Sequence, residues 1–183
     1  MVFRYSIRFS GTGGQGLIQA ARILAEAAAI YDNKNAAESC SYGPEARGSA
    51  CRAEIIVSDE MIDYPKVDSV DLLMALTQEA YDKYINDVKP NGVVVTDSQV
   101  NTGDILEGRD LFSVPFAEIV ERECDRSDMI NIVVLGFFTR VSNVISSKSI
   151  RHAILARVPK MSEDSFIEAY EVGLNATVEH PRQ

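Results

Sequence analysis

Two short segments hold the residue types that do chemistry. The first is SGTGGQG, Ser10 to Gly16, in which Gly11, Gly13 and Gly16 fit G-x-G-x-x-G. Glycine permits positive φ and lets a ligand approach the backbone closely. A helix starting just beyond Gly16 would present unpaired amides and the positive end of its dipole, which favours an anion, usually a phosphate. The candidate binding residues are therefore Gly13, Gly14, Gln15 and Gly16. The same pattern also serves as a tight strand-to-helix turn packed on a neighbouring loop.

The second segment is SYGPEARGS, Ser41 to Ser49. Gly43-Pro44 stiffens it, because proline fixes its own φ and restrains its predecessor. Glu45 and Arg47 are then held in a defined direction beside Tyr42. Arginine's planar fork suits a carboxylate or a phosphate. Pairing between Glu45 and Arg47 on an ordinary loop is the competing reading.

A dinucleotide site would need an acid at the end of the second strand to hold a ribose. Asp32 has about the right offset but falls in the turn-forming DNKN, and Glu38 is on a strand but late. An independent NAD-dependent oxidoreductase is thus an alternative that the sequence permits.

Alternating elements must carry these segments. Arg4 to Phe9 reads as a first strand. Leu17, Ala20, Ala21, Leu24, Ala27, Ala28 and Tyr31 make an apolar stripe at helical spacing. Ala36 to Ser39 is extended, Cys51 to Val57 is a strand, and Val70 to Leu76 suits a buried parallel strand. A helix follows Thr77 and ends before Pro90. Asn91-Gly92 is a turn, Val93 to Thr96 a strand, and Leu111 to Val114 a shorter one, with Pro115 opening a helix to about Arg122. Met129 to Val141 is apolar on nearly all sides. Ser149 to Arg157 and a Ser162-capped helix, with Phe166, Tyr170, Leu174 and Thr177 inward, complete the chain. The expected fold is α/β: a Rossmann-like, layered, mostly parallel sheet with a helical C-terminal third. The interruption between Glu38 and Val57 predicts that part of the sheet is antiparallel. Residues 1–183 read as a single domain.

Composition narrows the function. With 18 Lys plus Arg against 27 Asp plus Glu, the formal net charge is −9, which disfavours nucleic acid as a partner. No apolar run is long enough for a membrane span, and the N-terminus reads as a strand rather than a secretory signal. A cytoplasmic location is expected. Cys40, Cys51 and Cys124 form no C-x-x-C pair, so an iron–sulfur cluster or zinc held by this chain alone is not expected. They read as reduced, small buried side chains. His152 and His180 lie far from both segments and read as surface. No nucleophile–base constellation is readable, so no catalytic residue is assigned.

GTGGQG followed some thirty residues later by SYGPEARG resembles the gamma subunit of the 2-oxoacid:ferredoxin oxidoreductases. IDYPKV, Ile62 to Val67, and MALTQEAYDKY, Met74 to Tyr84, are similar to its 2-oxoglutarate branch. The buried helix with Leu135-Gly136 and the two terminal helices come in the expected order, so the resemblance covers most of the chain. Ser10 and Ser49 depart from it, standing where the family often has glycine.

The resemblance implies an enzyme that decarboxylates a 2-oxo acid onto coenzyme A and reduces ferredoxin. Thiamine diphosphate, Mg and iron–sulfur clusters are expected on partner alpha, beta and delta subunits, and none on this chain. Gly13, Gly14, Gln15, Gly16, Tyr42, Glu45 and Arg47 would serve coenzyme A access or subunit contact. A purely architectural subunit is the other possibility. An isolated subunit should expose apolar contact surface and form a homodimer. The purified chain should fold yet turn over no 2-oxoglutarate with a viologen dye, and show no iron–sulfur absorbance after anaerobic purification. Activity or visible absorbance from the chain alone would overturn this division of labour.

Overall fold

The computed structural model describes residues 3–41, 51–103 and 108–178. Six strands form one sheet: β1 (Arg4–Gly11), β2 (Asn35–Ser41), β3 (Cys51–Ser58), β4 (Val70–Ala75), β5 (Val88–Asp97) and β6 (Asp110–Val114). Their order across the sheet is β2-β3-β1-β4-β5-β6. β1, β4, β5 and β6 run parallel, and β3 is antiparallel to both β1 and β2. The mostly parallel α/β sheet expected from the sequence is therefore present, and the antiparallel part falls at the predicted interruption.

Strand alternation explains the two-sided core. On β1, Ile7 and Phe9 face one layer, which contains α1 (Leu17–Glu26), α3 (Phe116–Glu123), α4 (Ile130–Ser142), α5 (Ser147–Leu155) and α6 (Glu163–Asn175). The other face packs Leu73, Ala75 and Val94 under α2 (Gln78–Tyr84). α1 buries Leu17, Ala20, Ala21, Leu24, Ala27 and Ala28 as its stripe predicts, and Ile23 as well. Its last turn, Ala27–Tyr31, is π-helical and leaves Ile30 and Tyr31 exposed.

Arg8 lies on the α2 face of β1 and is buried. Its Nε donates to Glu54 Oε1 at 2.8 Å, it pairs with Asp87 beyond α2, and it stacks 4.7 Å from the Tyr84 ring centroid. Ser39 on β2 donates to the second Glu54 oxygen at 3.3 Å. Three strands and the end of a helix thus meet at one charge.

Several boundaries differ from the sequence reading. β5 begins at Val88 and contains Pro90-Asn91-Gly92, which the sequence reads as a turn. The pairing jumps from Val70–Val88 to Leu72–Val93, so these residues form a bulge, with Asn91 at φ 63°. Ser162 stands at the start of α6 but makes no side-chain capping bond. The caps are instead Thr77, accepting from the Ala80 amide, and Ser146, accepting from the Ser149 amide. Thr177 is exposed, beyond the end of α6. Cys51 is buried and Cys124 half-buried, but Cys40 is exposed because β2 is the sheet's edge strand; all three are free.

The C-terminal third is fixed by backbone contact. A Cβ on Gly136 in α4 would fall 2.1 Å from the Tyr170 carbonyl oxygen of α6. One on Gly173 would fall 2.0 Å from the Val133 carbonyl oxygen. Close approach makes glycine necessary at both positions. Gly136→Ala should therefore lose roughly 1–3 kcal/mol net, because overpacking outweighs the helix-propensity gain of about 1 kcal/mol. Urea unfolding beside Gly13→Ala, where the Cβ would meet nothing within 4 Å, checks this; equal stabilities would show that α4 and α6 separate easily.

Candidate functional site

β1 delivers the chain to the glycine turn at the carboxyl end of the parallel strands, where open α/β sheets bind ligands. Gly14 and Gly16 have φ of 95° and 71°, in the left-handed region. Gly16 is the N-cap of α1 and offers no side chain, so the first amides of the helix have no side-chain cap. Gly13 and Gly14 are exposed. This half of the turn can accept an anion through backbone N–H groups and the helix dipole.

Gln15 does something else. Its Oε1 accepts from the Thr12 amide at 2.8 Å, and its own amide donates to the Thr12 carbonyl at 3.4 Å. A Cβ on Gly11 would strike that Oε1 at 2.1 Å. Gln15 therefore laces the turn internally. Gly16 is held from the other side by Asn131, the first polar residue of the apolar α4, whose Nδ2 would lie 2.9 Å from a Cβ there. Sequence reasoning missed Asn131, although a lone amide in a run as apolar as Met129–Val141 is a visible signal.

The strands that flank the second predicted segment are tied to the first through the sheet. Ser41 ends β2 opposite Arg52, and Cys51 opens β3 opposite Gly11. The Ser10 hydroxyl donates to the Cys51 carbonyl at 2.9 Å. Serine at position 10 thus ties β1 to β3 where a glycine could not. Tyr42, Gly43, Pro44, Glu45, Arg47, Gly48 and Ser49 lie outside the described residues. Of their described flanks, Cys51 stands opposite Gly11, and Ser41 lies one strand further out, opposite Arg52.

A cavity of about 550 Å³ adjoins the turn on its α3–α4 side, with Gly14, Gln15, Cys124, Ser127 and Ile130 in its wall. Glu121, Asp125 and Asp128 also line it. A hydrogen bond from Arg126 keeps the Asp128 carboxyl below its ordinary range. Asp128 is paired with Arg126, so the net acidity of this wall comes from Glu121 and Asp125. Burial, then Glu123 and Asp125, push the Cys124 thiol up. Burial also pushes up Cys51. Neither thiol is poised as a nucleophile at neutral pH. No group of three or more His, Cys, Asp or Glu that could hold a metal ion occurs among the described residues. No helix there is long and apolar enough to cross a membrane.

The two acids considered for a ribose are engaged elsewhere. Asp32 accepts from the Ser146 amide at 2.6 Å, the Ser146 hydroxyl at 2.8 Å and the Ser149 hydroxyl at 2.6 Å. Glu38 pairs with Arg22 at 3.5 Å. His152 is exposed and packs against the Tyr31 ring at 5.4 Å; His180 lies outside the described residues.

A layered α/β sheet with a glycine turn at its carboxyl edge, and both candidate ribose acids already engaged, defines a class other than the independent dinucleotide enzymes. The family model described as pyruvate ferredoxin/flavodoxin oxidoreductase matches residues 6–176, and the chain belongs to that family. It is 45% identical over 178 residues to the 2-oxoglutarate synthase subunit KorC of Methanocaldococcus jannaschii, covering 96% of this chain and 95% of that one. With the KorC subunit of Methanothermobacter marburgensis it shares 37% identity over 96% of this chain and 98% of that one. The keto/oxoacid ferredoxin oxidoreductase gamma subunit of Geobacter sulfurreducens PCA superposes with a TM-score of 0.84 at 41% identity, covering 93% of this chain and 94% of that one.

Asp32 yields a pH-dependent stability. Burial opposes its charge, but bonds from Ser149 and Ser146, helped by Lys34, hold its carboxyl below the ordinary value. A depressed folded-state pKa contributes stability above the unfolded value, lost as pH falls through the folded one. Asp32→Ala should cost about 1–2 kcal/mol at neutral pH, and the gap should close as pH drops below about 4. Urea titrations at both pH values test this; a gap that does not change with pH would rule out the carboxylate as its source.

Proposed function

We propose that this chain is the gamma subunit of a 2-oxoglutarate:ferredoxin oxidoreductase. The observation that carries the reading is end-to-end likeness, at 45% identity, to a 2-oxoglutarate synthase subunit. The chain works in a cytoplasmic assembly with alpha, beta and delta subunits. Thiamine diphosphate with Mg and the iron–sulfur clusters sit on those partners, and ferredoxin is reduced through the complex. Thiamine and iron–sulfur chemistry supply the carbanion and electron steps there.

This chain's own part is to shape access for coenzyme A. The turn at Gly13, Gly14 and Gly16, laced by Gln15, offers amides to a phosphate, and Tyr42, Glu45 and Arg47 complete the contact from the neighbouring segment. The carboxylates of the adjacent cavity keep the nucleotide's negative charge off that side. Away from its partners the chain self-associates.

Arg47 is the sharpest test. In the enzyme reconstituted with its partner subunits, Arg47→Ala should raise KM for coenzyme A roughly ten- to a hundred-fold, the loss of a charge-assisted contact of about 1.5–3 kcal/mol. Arg47→Lys keeps the charge without the planar fork and should recover only part of it. A weaker complex with unchanged KM would assign the segment to assembly instead. Normal assembly with full specificity constants for both substrates would remove both roles.

A further inference from the structure

α4 buries two polar side chains, and their surroundings differ. Thr139 donates to the Leu135 carbonyl at 2.8 Å and accepts from the Tyr170 hydroxyl at 2.9 Å. Asn131 makes no side-chain hydrogen bond to any described residue, although only 8% of its surface is open. A buried amide without a partner destabilises a fold. Its presence in so apolar a stretch calls for an acceptor that the described residues do not supply.

The position of Asn131 says where that acceptor goes. Its Nδ2 would lie 2.9 Å and its Cγ 3.0 Å from a Cβ on Gly16, so the amide rests directly on the N-cap of α1. That helix end is open to a negative group. Gly16 offers no side-chain cap, no acid stands in the first turn, and the first backbone bond runs from the Ala20 amide to the Gly16 carbonyl at 3.0 Å. The amides of Leu17, Ile18 and Gln19 and the Nδ2 of Asn131 are thus donors at one point of the fold, with no acceptor among the described residues. Ile130 lines the neighbouring cavity and Asn131 does not, so this donor stands outside the wall that holds Glu121 and Asp125.

We infer that Asn131 is a binding residue of the glycine turn and donates through Nδ2 to a phosphate of coenzyme A, an inference that rests on the subunit reading above. The α1 amides and dipole attract the charge. Asn131 adds a donor of fixed direction, because it stands on a buried helix packed against α1. A neutral amide suits the place. A carboxylate there would complement the helix end itself and repel the phosphate.

The test is calorimetric binding of coenzyme A to the enzyme reconstituted with its partner subunits, beside urea unfolding of the chain. Asn131→Ala should raise Kd about tenfold, and Asn131→Asp should raise it further because its carboxylate repels the phosphate. The same carboxylate complements the α1 dipole, so the Asn131→Asp chain should unfold no more readily than the parent. Affinity and stability then move apart. Affinity that follows stability across both variants would make Asn131 an internal strut and overturn the assignment. A weaker complex with unchanged Kd overturns it too, since the acceptor would then be a carboxylate of a partner subunit. If Arg47→Ala weakens coenzyme A binding and neither Asn131 variant does, the coenzyme A reading stands and the role of Asn131 alone fails. If the reconstituted parent binds no coenzyme A, that reading fails and the role of Asn131 with it.

Discussion

The guanidinium of Arg8 is the constraint around which the sheet is arranged. It sits on a central strand, between Ile7 and Phe9, with 1% of its surface exposed. A charge so placed must be neutralised within the fold, since an unpaired buried ion costs several kcal/mol. Glu54 supplies one carboxylate only because β3 runs antiparallel to β1 in a register that sets Glu54 opposite Arg8. Asp87 supplies the other only if α2 ends over the same strand. The ion pairs are weak evidence for stability as such. Their effect is on specificity, because a one-residue slip of β3 would carry Glu54 to the opposite face of the sheet.

The same register builds the candidate site. With Arg8 opposite Glu54, Gly11 stands opposite Cys51 and Ser41 opposite Arg52, so the two strands that flank the second motif are held in register with β1. The turn offers amides and a helix dipole, and the cavity beside it, which Gly14 and Gln15 also line, carries Glu121, Asp125 and Asp128.

Much of this was legible in the sequence, for identifiable reasons. Compact apolar runs such as Val70–Leu76 and Met129–Val141 leave little choice but burial. The glycine turn and the alanine-rich stripe behind it locate β1 and α1 within a residue or two. The unreadable features depend on partners distant in the chain. Pro90-Asn91-Gly92 has turn chemistry, and only pairing with β4 makes it a bulge within a strand. Asp32 has the offset of a ribose ligand, and only the fold brings Ser146 and Ser149 to it. Ser162 stands before two acids as a cap would, and only the folded geometry leaves its side chain without a capping bond. The role of Gln15 was half visible: its position in the turn was evident, its inward lacing was not. The acidic cavity beside the turn joins α3 to the start of α4, and no local pattern announces it.

The crossing of α4 and α6 restricts how this sequence can drift. Most crowded contacts are relieved when a neighbour shrinks, so a second substitution can rescue the first. Here the atoms that a new Cβ would strike are the carbonyl oxygens of Tyr170 and Val133. Every residue type carries those oxygens, so no exchange of side chains makes room. Gly136 and Gly173 cannot trade size between them either, since each faces the other helix's backbone. Variation at either position demands that the helices part, and Tyr170, whose hydroxyl donates to Thr139 at 2.9 Å across that contact, would have to move with them. Among the described residues, no side chain at this crossing offers a compensating change.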